Sequence, residues 1–222
     1  MKKYKILNLY ACLGGNRAKW DEVAKEANIE IEVTAIELDE ELAKLYQERF
    51  PNDTVIIADA HQYLLENFKN FDFIWSSPPC PSHSRPRFWA YGQTMPQYPE
   101  MQLYQEILFL QHHFKGMWLV ENVIPYYDPL IIAQKRDRHL YWTNFNLPGV
   151  LSNRANSGNL NQKSVLKDLC DFHDYDFKKY KGNQRVLKIA RNLVDYEAGR
   201  TIFETVLGIE KNSNSNQTTI FD

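Results

Sequence analysis

Cys80 stands in the run Ser77-Pro78-Pro79-Cys80-Pro81. Prolines fix φ on both sides of it and hold its thiol on a stiff backbone. A thiolate with positive neighbours is a good nucleophile, and Arg85, Arg87 and the basic knot Lys135-Arg136-Asp137-Arg138-His139 can supply that charge. Further along, Glu121-Asn122-Val123 offers an acid beside an amide. Together they make a covalent-plus-acid arrangement; a buried structural cysteine is the plainer alternative. A second group lies upstream: Gly14-Gly15, then Glu37, then Asp59. Paired glycines let a backbone approach a ligand closely. Glu37 can accept hydrogen bonds from ribose hydroxyls, and Asp59 one from an adenine amino group. Each is weak by itself, since a glycine pair is often a turn and a strand-end carboxylate often a helix cap. In register on successive strands, they favour an adenosine-containing cofactor. The loop is not GxGxxG, which points away from NAD.

Such groups must sit at strand ends, and the sequence supplies the strands. Residues 4–9, 31–36, 54–58, 71–75 and 118–120 read as buried strands. Residues 17–28, 40–50, 60–68 and 101–114 carry helical periodicity between them. This alternation predicts an α/β fold: a mostly parallel sheet with helices on both faces, binding ligands beyond the carboxyl ends of its strands. Past Asn144 the pattern fades. Residues 147–185 read as loops with short elements, 196–207 as a helix, and 211–216 as a polar linker.

The chain has 222 residues, 44% hydrophobic and 24% charged, enough for one domain with a real core. Its three cysteines share no CxxC spacing, which argues against disulfides and a cysteine zinc site and suits a reducing cytosol. His112-His113 reads as helix surface, so no metal is expected. No apolar run is long enough to span a membrane, and the N-terminus leads straight into a strand, which speaks against a signal peptide. Net charge is only −2, but residues 177–191 carry Lys178, Lys179, Lys181, Arg185, Lys188 and Arg191 with no acid. Such a run is either a solvated face or the footprint of a phosphate backbone.

In order and content these motifs resemble the DNA cytosine-5 methyltransferases, over residues 5 to about 208. The resemblance rests on the cofactor loop 8–17, Glu37, Asp59, Pro78-Pro79-Cys80, Glu121-Asn122-Val123, Gln134-Lys135-Arg136-Asp137-Arg138 and Arg191-Asn192-Leu193-Val194. It implies a Rossmann-like S-adenosylmethionine-dependent fold, cytosine-containing duplex DNA as substrate, and base flipping. It also implies that Cys80 attacks C6, Glu121 holds N3 and the amino group, and Arg138, with Arg136 nearby, contacts O2. Tyr10 then lies against the adenosine, Gly14 and Gly15 near the methionine end, Glu37 on the ribose and Asp59 on the adenine, with Pro79 and Asn192 completing the pocket. Arg136 and Arg138 as surface charge on a strand, and Asn192 as a cap on the last helix, are the plainer readings.

Two small departures, Cys12 where the family has glycine and Pro81 where it commonly has Gln, remove no reacting group. The larger departure is length. Residues 1–146 correspond to the catalytic core, 147–182 to a reduced target-recognition region, 183–209 to a segment completing the cofactor site, and 210–222 to a flexible tail. Thirty-six positions predict weak or short sequence specificity. Residues 81–99 interleave Arg85, Arg87, Phe88, Trp89, Tyr91 and Tyr98, suited to entering a groove or to an aromatic minicore anchoring the loop. Gln217-Thr218-Thr219-Ile220-Phe221 is similar to peptides that dock on the bacterial sliding clamp; folding back on the body is the alternative. The whole suggests a cytoplasmic protein encoded by a bacterium or phage, with or without a restriction partner. RNA cytosine methylation, as in a transfer-RNA branch of the family, and a cofactor-binding subunit that needs a recognition partner remain open.

Overall fold

A computed structural model describes residues 3–85, 98–152 and 162–209. Seven strands form one sheet in the order β3-β2-β1-β4-β5-β7-β6. They are β1 (Tyr4–Leu9), β2 (Ile31–Glu37), β3 (Thr54–Ile57), β4 (Phe73–Ser76), β5 (Met117–Val123), β6 (Gln134–Arg136) and β7 (His139–Thr143). The five strands read from sequence pair in parallel; β7 runs antiparallel to β5, and β6 antiparallel to β7. The chain passes from the β1-β2-β3 half to the β4-β5 half between β1 and β4, so a crevice opens at the carboxyl ends there.

Alternation along the strands divides the core. Leu7, Leu9, Ile36, Ile74 and Val120 face one side, with α3 (Ala60–Asn67) and α4 (Gln102–His113) packed over them. Ile6, Val33, Phe73, Trp75 and Leu119 face the other, under α1 (Trp20–Glu26) and α7 (Tyr196–Val206). There Trp20 lies 5.3 Å from Phe203 and 6.0 Å from Trp75, ring centre to ring centre. Each such buried side chain contributes roughly 1.5–3 kcal/mol through removal from water.

The structure departs from the sequence reading after residue 133. The basic knot is a hairpin: Arg136 pairs with His139, leaving Asp137-Arg138 as a two-residue turn with Asp137 at φ 47°. Within the stretch expected to be loops with short elements, Gln162–His173 forms a full helix, α5. α5 and α6 (Val186–Asn192) pack through Leu169, Ile189, Ala190 and Leu193 against Leu13 of the loop after β1 and Leu42 and Leu45 of α2 (Glu40–Arg49). The late segment thereby roofs the carboxyl end of the sheet. Arg87, Phe88, Trp89 and Tyr91, and the tail from Gln217 to Phe221, lie outside the described residues.

Candidate active site

Beyond β1, β2, β4 and β5 lies one cleft of about 1340 Å³, walled on its remaining sides by the β6–β7 turn and α6. Its lining includes Tyr10, Gly15, Glu37, Asp59, Pro79, Cys80, Glu121, Arg136, Arg138 and Asn192, ten of the eleven positions singled out in the sequence. Gly14 is the exception. It has φ +66°, and a Cβ there would come within 2.5 Å of the Phe50 ring and 2.7 Å of Tyr46. Its missing side chain serves packing and a left-handed turn, whereas Gly15 lets the carbonyl of Val194 approach to 2.1 Å from where a Cβ would stand.

The loop after β1 is strained. Tyr10 (φ 56°) and Cys12 (φ 48°) both occupy the left-handed region, which costs a non-glycine residue about 1–2 kcal/mol. Two hydrogen bonds hold it. The Cys12 N–H donates to Glu37 Oε2 at 2.8 Å, and the Tyr10 hydroxyl donates to Glu106 Oε1 at 2.5 Å. Glu106 is fully buried on α4 and also accepts from Ser76 Oγ at 2.6 Å, with His61 Nδ1 at 3.1 Å. Sequence reasoning missed this carboxylate. Its signal was an acid in the apolar stripe Leu103, Glu106, Ile107, Leu110.

Glu37 accepts a second backbone bond, from Asp39 N–H at 2.9 Å, leaving each oxygen further lone-pair capacity. Burial holds its carboxyl above the usual range, and those N–H groups offset this only in part. Asp59 is exposed and is also a helix cap: its Oδ1 accepts from Gln62 N–H at 2.8 Å, and its Oδ2 has no hydrogen-bond partner among the described residues. Asp39 anchors the roof. Its Oδ2 accepts from Tyr180 O–H at 2.7 Å and from Gln184 Nε2 at 3.0 Å.

Cys80 follows β4, and Glu121 lies near the end of the neighbouring strand β5. Asn122 Nδ2 donates to the Pro78 carbonyl at 3.0 Å and its Oδ1 accepts from Val123 N–H, so β5 clamps the proline loop. After Cys80 the chain turns, with its carbonyl accepting from His83 and Ser84 N–H. Burial, and then the proximity of Glu121, push the Cys80 thiol up, while Lys188 on α6 pulls it down. Lys188, rather than Arg85, is thus the cation whose charge acts on the sulfur, and it lines the same cleft. Burial alone pushes Glu121 up to about 8, so at neutral pH it carries a proton it can donate.

The two arginines differ sharply. Arg136 is spent on structure, donating to the carbonyls of Pro148 at 2.5 Å, Leu147 at 2.6 Å and Lys135 at 2.9 Å. Arg138 projects from the turn with its side chain 71% exposed, 3.8 Å from Asp137. Asn192 ends α6 at the cleft; the last helix is capped by Asp195 instead. No group of three His, Cys, Asp or Glu able to hold a metal occurs among the described residues, and no helix among them is long and apolar enough to cross a membrane.

A mostly parallel seven-stranded sheet in this order, with a cleft at the carboxyl ends, defines the Rossmann-like methyltransferase fold. The profile described as C-5 cytosine-specific DNA methylase matches residues 4–123, and the chain belongs to that family. Among solved structures it is similar to a triple-substituted DNMT2 of Spodoptera frugiperda. That likeness has 14% identity, a TM-score of 0.51, and coverage of 93% of this chain and all of that one. A methyltransferase of Entamoeba histolytica, EhMeth, matches at 10% identity and TM-score 0.42, covering all of this chain and 91% of its own. A putative DNA modification methyltransferase from an Escherichia coli prophage matches at 18% identity and TM-score 0.36, covering 57% and 34%. No curated protein matches the chain.

Proposed function

We propose that the protein methylates C5 of cytosine in DNA, with S-adenosylmethionine as methyl donor and Cys80 as covalent catalyst. The observation carrying this reading is that Cys80 and the buried Glu121 line one cleft, at the ends of paired strands, beside Glu37 and Asp59. The cleft exceeds the roughly 300–1,000 Å³ of a single small-molecule site, leaving room for a cofactor and an extruded base.

The residues present fit the cofactor. Glu37 has acceptor capacity left for ribose hydroxyls, Asp59 Oδ2 for an amino group, and the close packing of Gly15 on Val194 brings backbone to the other end. S-adenosylmethionine supplies an electrophilic methyl group. The protein must make C5 nucleophilic. Cys80 sulfur bonds to C6 of the flipped base, the C5–C6 electron pair shifts to C5 and is delocalised towards N3 and O2, and Glu121 gives its proton to N3. Arg138 stabilises the charge at O2; Arg136 holds the segment beneath the hairpin in place. After C5 gains its substituent its proton passes to solvent water, the C6–S bond breaks, and Cys80 leaves as thiolate while N3 returns its proton to Glu121.

Cys80 starts as a thiol held above its usual range, so its proton must leave as the base arrives, which makes activation depend on substrate binding. Product analysis after incubation with S-adenosylmethionine and either duplex DNA or RNA tests the assignment. 5-Methylcytosine in DNA is the expected product; methylation of RNA alone would replace DNA as the substrate.

A further inference from the structure

We infer that the basic edge of α6, with Arg185, Lys188 and Arg191, is a rail for the phosphate backbone of the DNA strand that delivers the cytosine. The inference rests on the DNA reading above and extends it to a docking surface.

Four arginines elsewhere are committed. Arg17 is bound to Asp53 and Asp21, Arg49 to the carbonyls of Leu13 and His173, Arg136 to the segment beneath the hairpin, and Arg200 to Glu22, Glu26 and Glu204. Arg185, Lys188 and Arg191 are exposed and make no ion pair or side-chain hydrogen bond among the described residues. Three unpaired cations on a short helix repel one another, and an incoming polyanion relieves that repulsion. Their position adds direction. The buried face of α6, through Ile189 and Ala190, is fixed to the core of the roof, while Lys188 and Arg191 line the cleft that holds Cys80. Across that cleft stands Arg138 at the hairpin tip. A strand passing between α6 and the hairpin meets positive charge from both walls of the cleft that Cys80 also lines. This placement also lends non-specific affinity to a chain whose recognition region is short.

The test is equilibrium binding of the full chain to an unmodified duplex, followed by fluorescence anisotropy over a range of salt concentrations. It compares the wild type with the triple variant Arg185→Gln, Lys188→Gln and Arg191→Gln, with cofactor titration and thermal melting alongside. The variant should bind DNA roughly tenfold or more weakly, and its slope of log K against log salt should be shallower by about one for each phosphate that is no longer neutralised. Melting should stay near wild type, because the replaced side chains make no hydrogen bond or ion pair among the described residues. Single variants at Arg185 and Lys188 give the same reading should the triple one fold poorly. Equal salt slopes for variant and wild type, or no DNA binding by the wild type, would overturn the rail. DNA binding with the expected slope change but no methyl transfer to DNA would leave the rail standing and count against the proposed reaction.

Discussion

Asn122 Nδ2 and the Pro78 carbonyl oxygen lie 3.0 Å apart, joining the end of β5 to the loop that carries Cys80. One hydrogen bond thus ties the position of the Cys80 loop to the strand that carries Glu121. Asn122 is buried, so Asn122→Ala leaves the Pro78 carbonyl without its partner and should cost about 1–3 kcal/mol of stability. It should lower kcat more than it changes cofactor affinity. Denaturation and cofactor titration of one preparation check both.

Glu121 gives the protein a pH dependence of known sign. Its folded value, about 8, lies above the unfolded value of 4.5, so the folded state binds the proton more tightly. Its contribution to stability is fully present below about pH 4.5 and is lost as pH rises through about 8. Glu121→Gln keeps the hydrogen-bonding shape without the titration. The variant should therefore gain on the wild type steadily as pH rises from 5 to 9, in chemical denaturation followed at each pH. A constant difference would mean that Glu121 titrates normally.

Glu37→Ala should raise the cofactor dissociation constant about tenfold to a hundredfold, the worth of a hydrogen bond to a charged acceptor. It also releases the N–H groups of Cys12 and Asp39, so some stability goes with it. DNA affinity should change little. An unaltered cofactor titration would place the cofactor elsewhere.

Gly14 is set apart from Gly15. A methyl group at Gly14 meets Phe50 and Tyr46 and needs a left-handed backbone, so Gly14→Ala should destabilise the fold by roughly 2 kcal/mol or more. Cofactor affinity should fall only as far as folding does. Comparing binding with melting temperature separates the two effects.

The strands that carry the site were legible because they are short apolar runs between turn residues, and the chemistry stands at or just beyond their ends. The β6–β7 hairpin was not. Gln134-Lys135-Arg136 has no apolar period at all, and His139–Thr143, buried at its three central positions, does not alternate. α5 was hidden by its polar flanks, although Val165, Leu166 and Leu169 keep helical spacing. With α6 unread, nothing tied Lys188 to Cys80. Glu106 is a different case, since a carboxylate among buried leucines points to hydrogen bonds from elsewhere, and only the fold shows that Tyr10 and Ser76 provide them.

The central claim is that Cys80 forms a covalent bond to cytosine. A duplex containing 5-fluorocytosine tests it, because fluorine at C5 cannot leave as a proton does and the adduct is trapped once the methyl group has transferred. Incubated with S-adenosylmethionine and that duplex, the wild-type protein should give a complex that survives denaturing electrophoresis, with the DNA attached to the peptide containing Cys80. Cys80→Ser should give none while still binding the cofactor. A stable adduct in Cys80→Ser, or methyl transfer to ordinary DNA by that variant, would contradict the account.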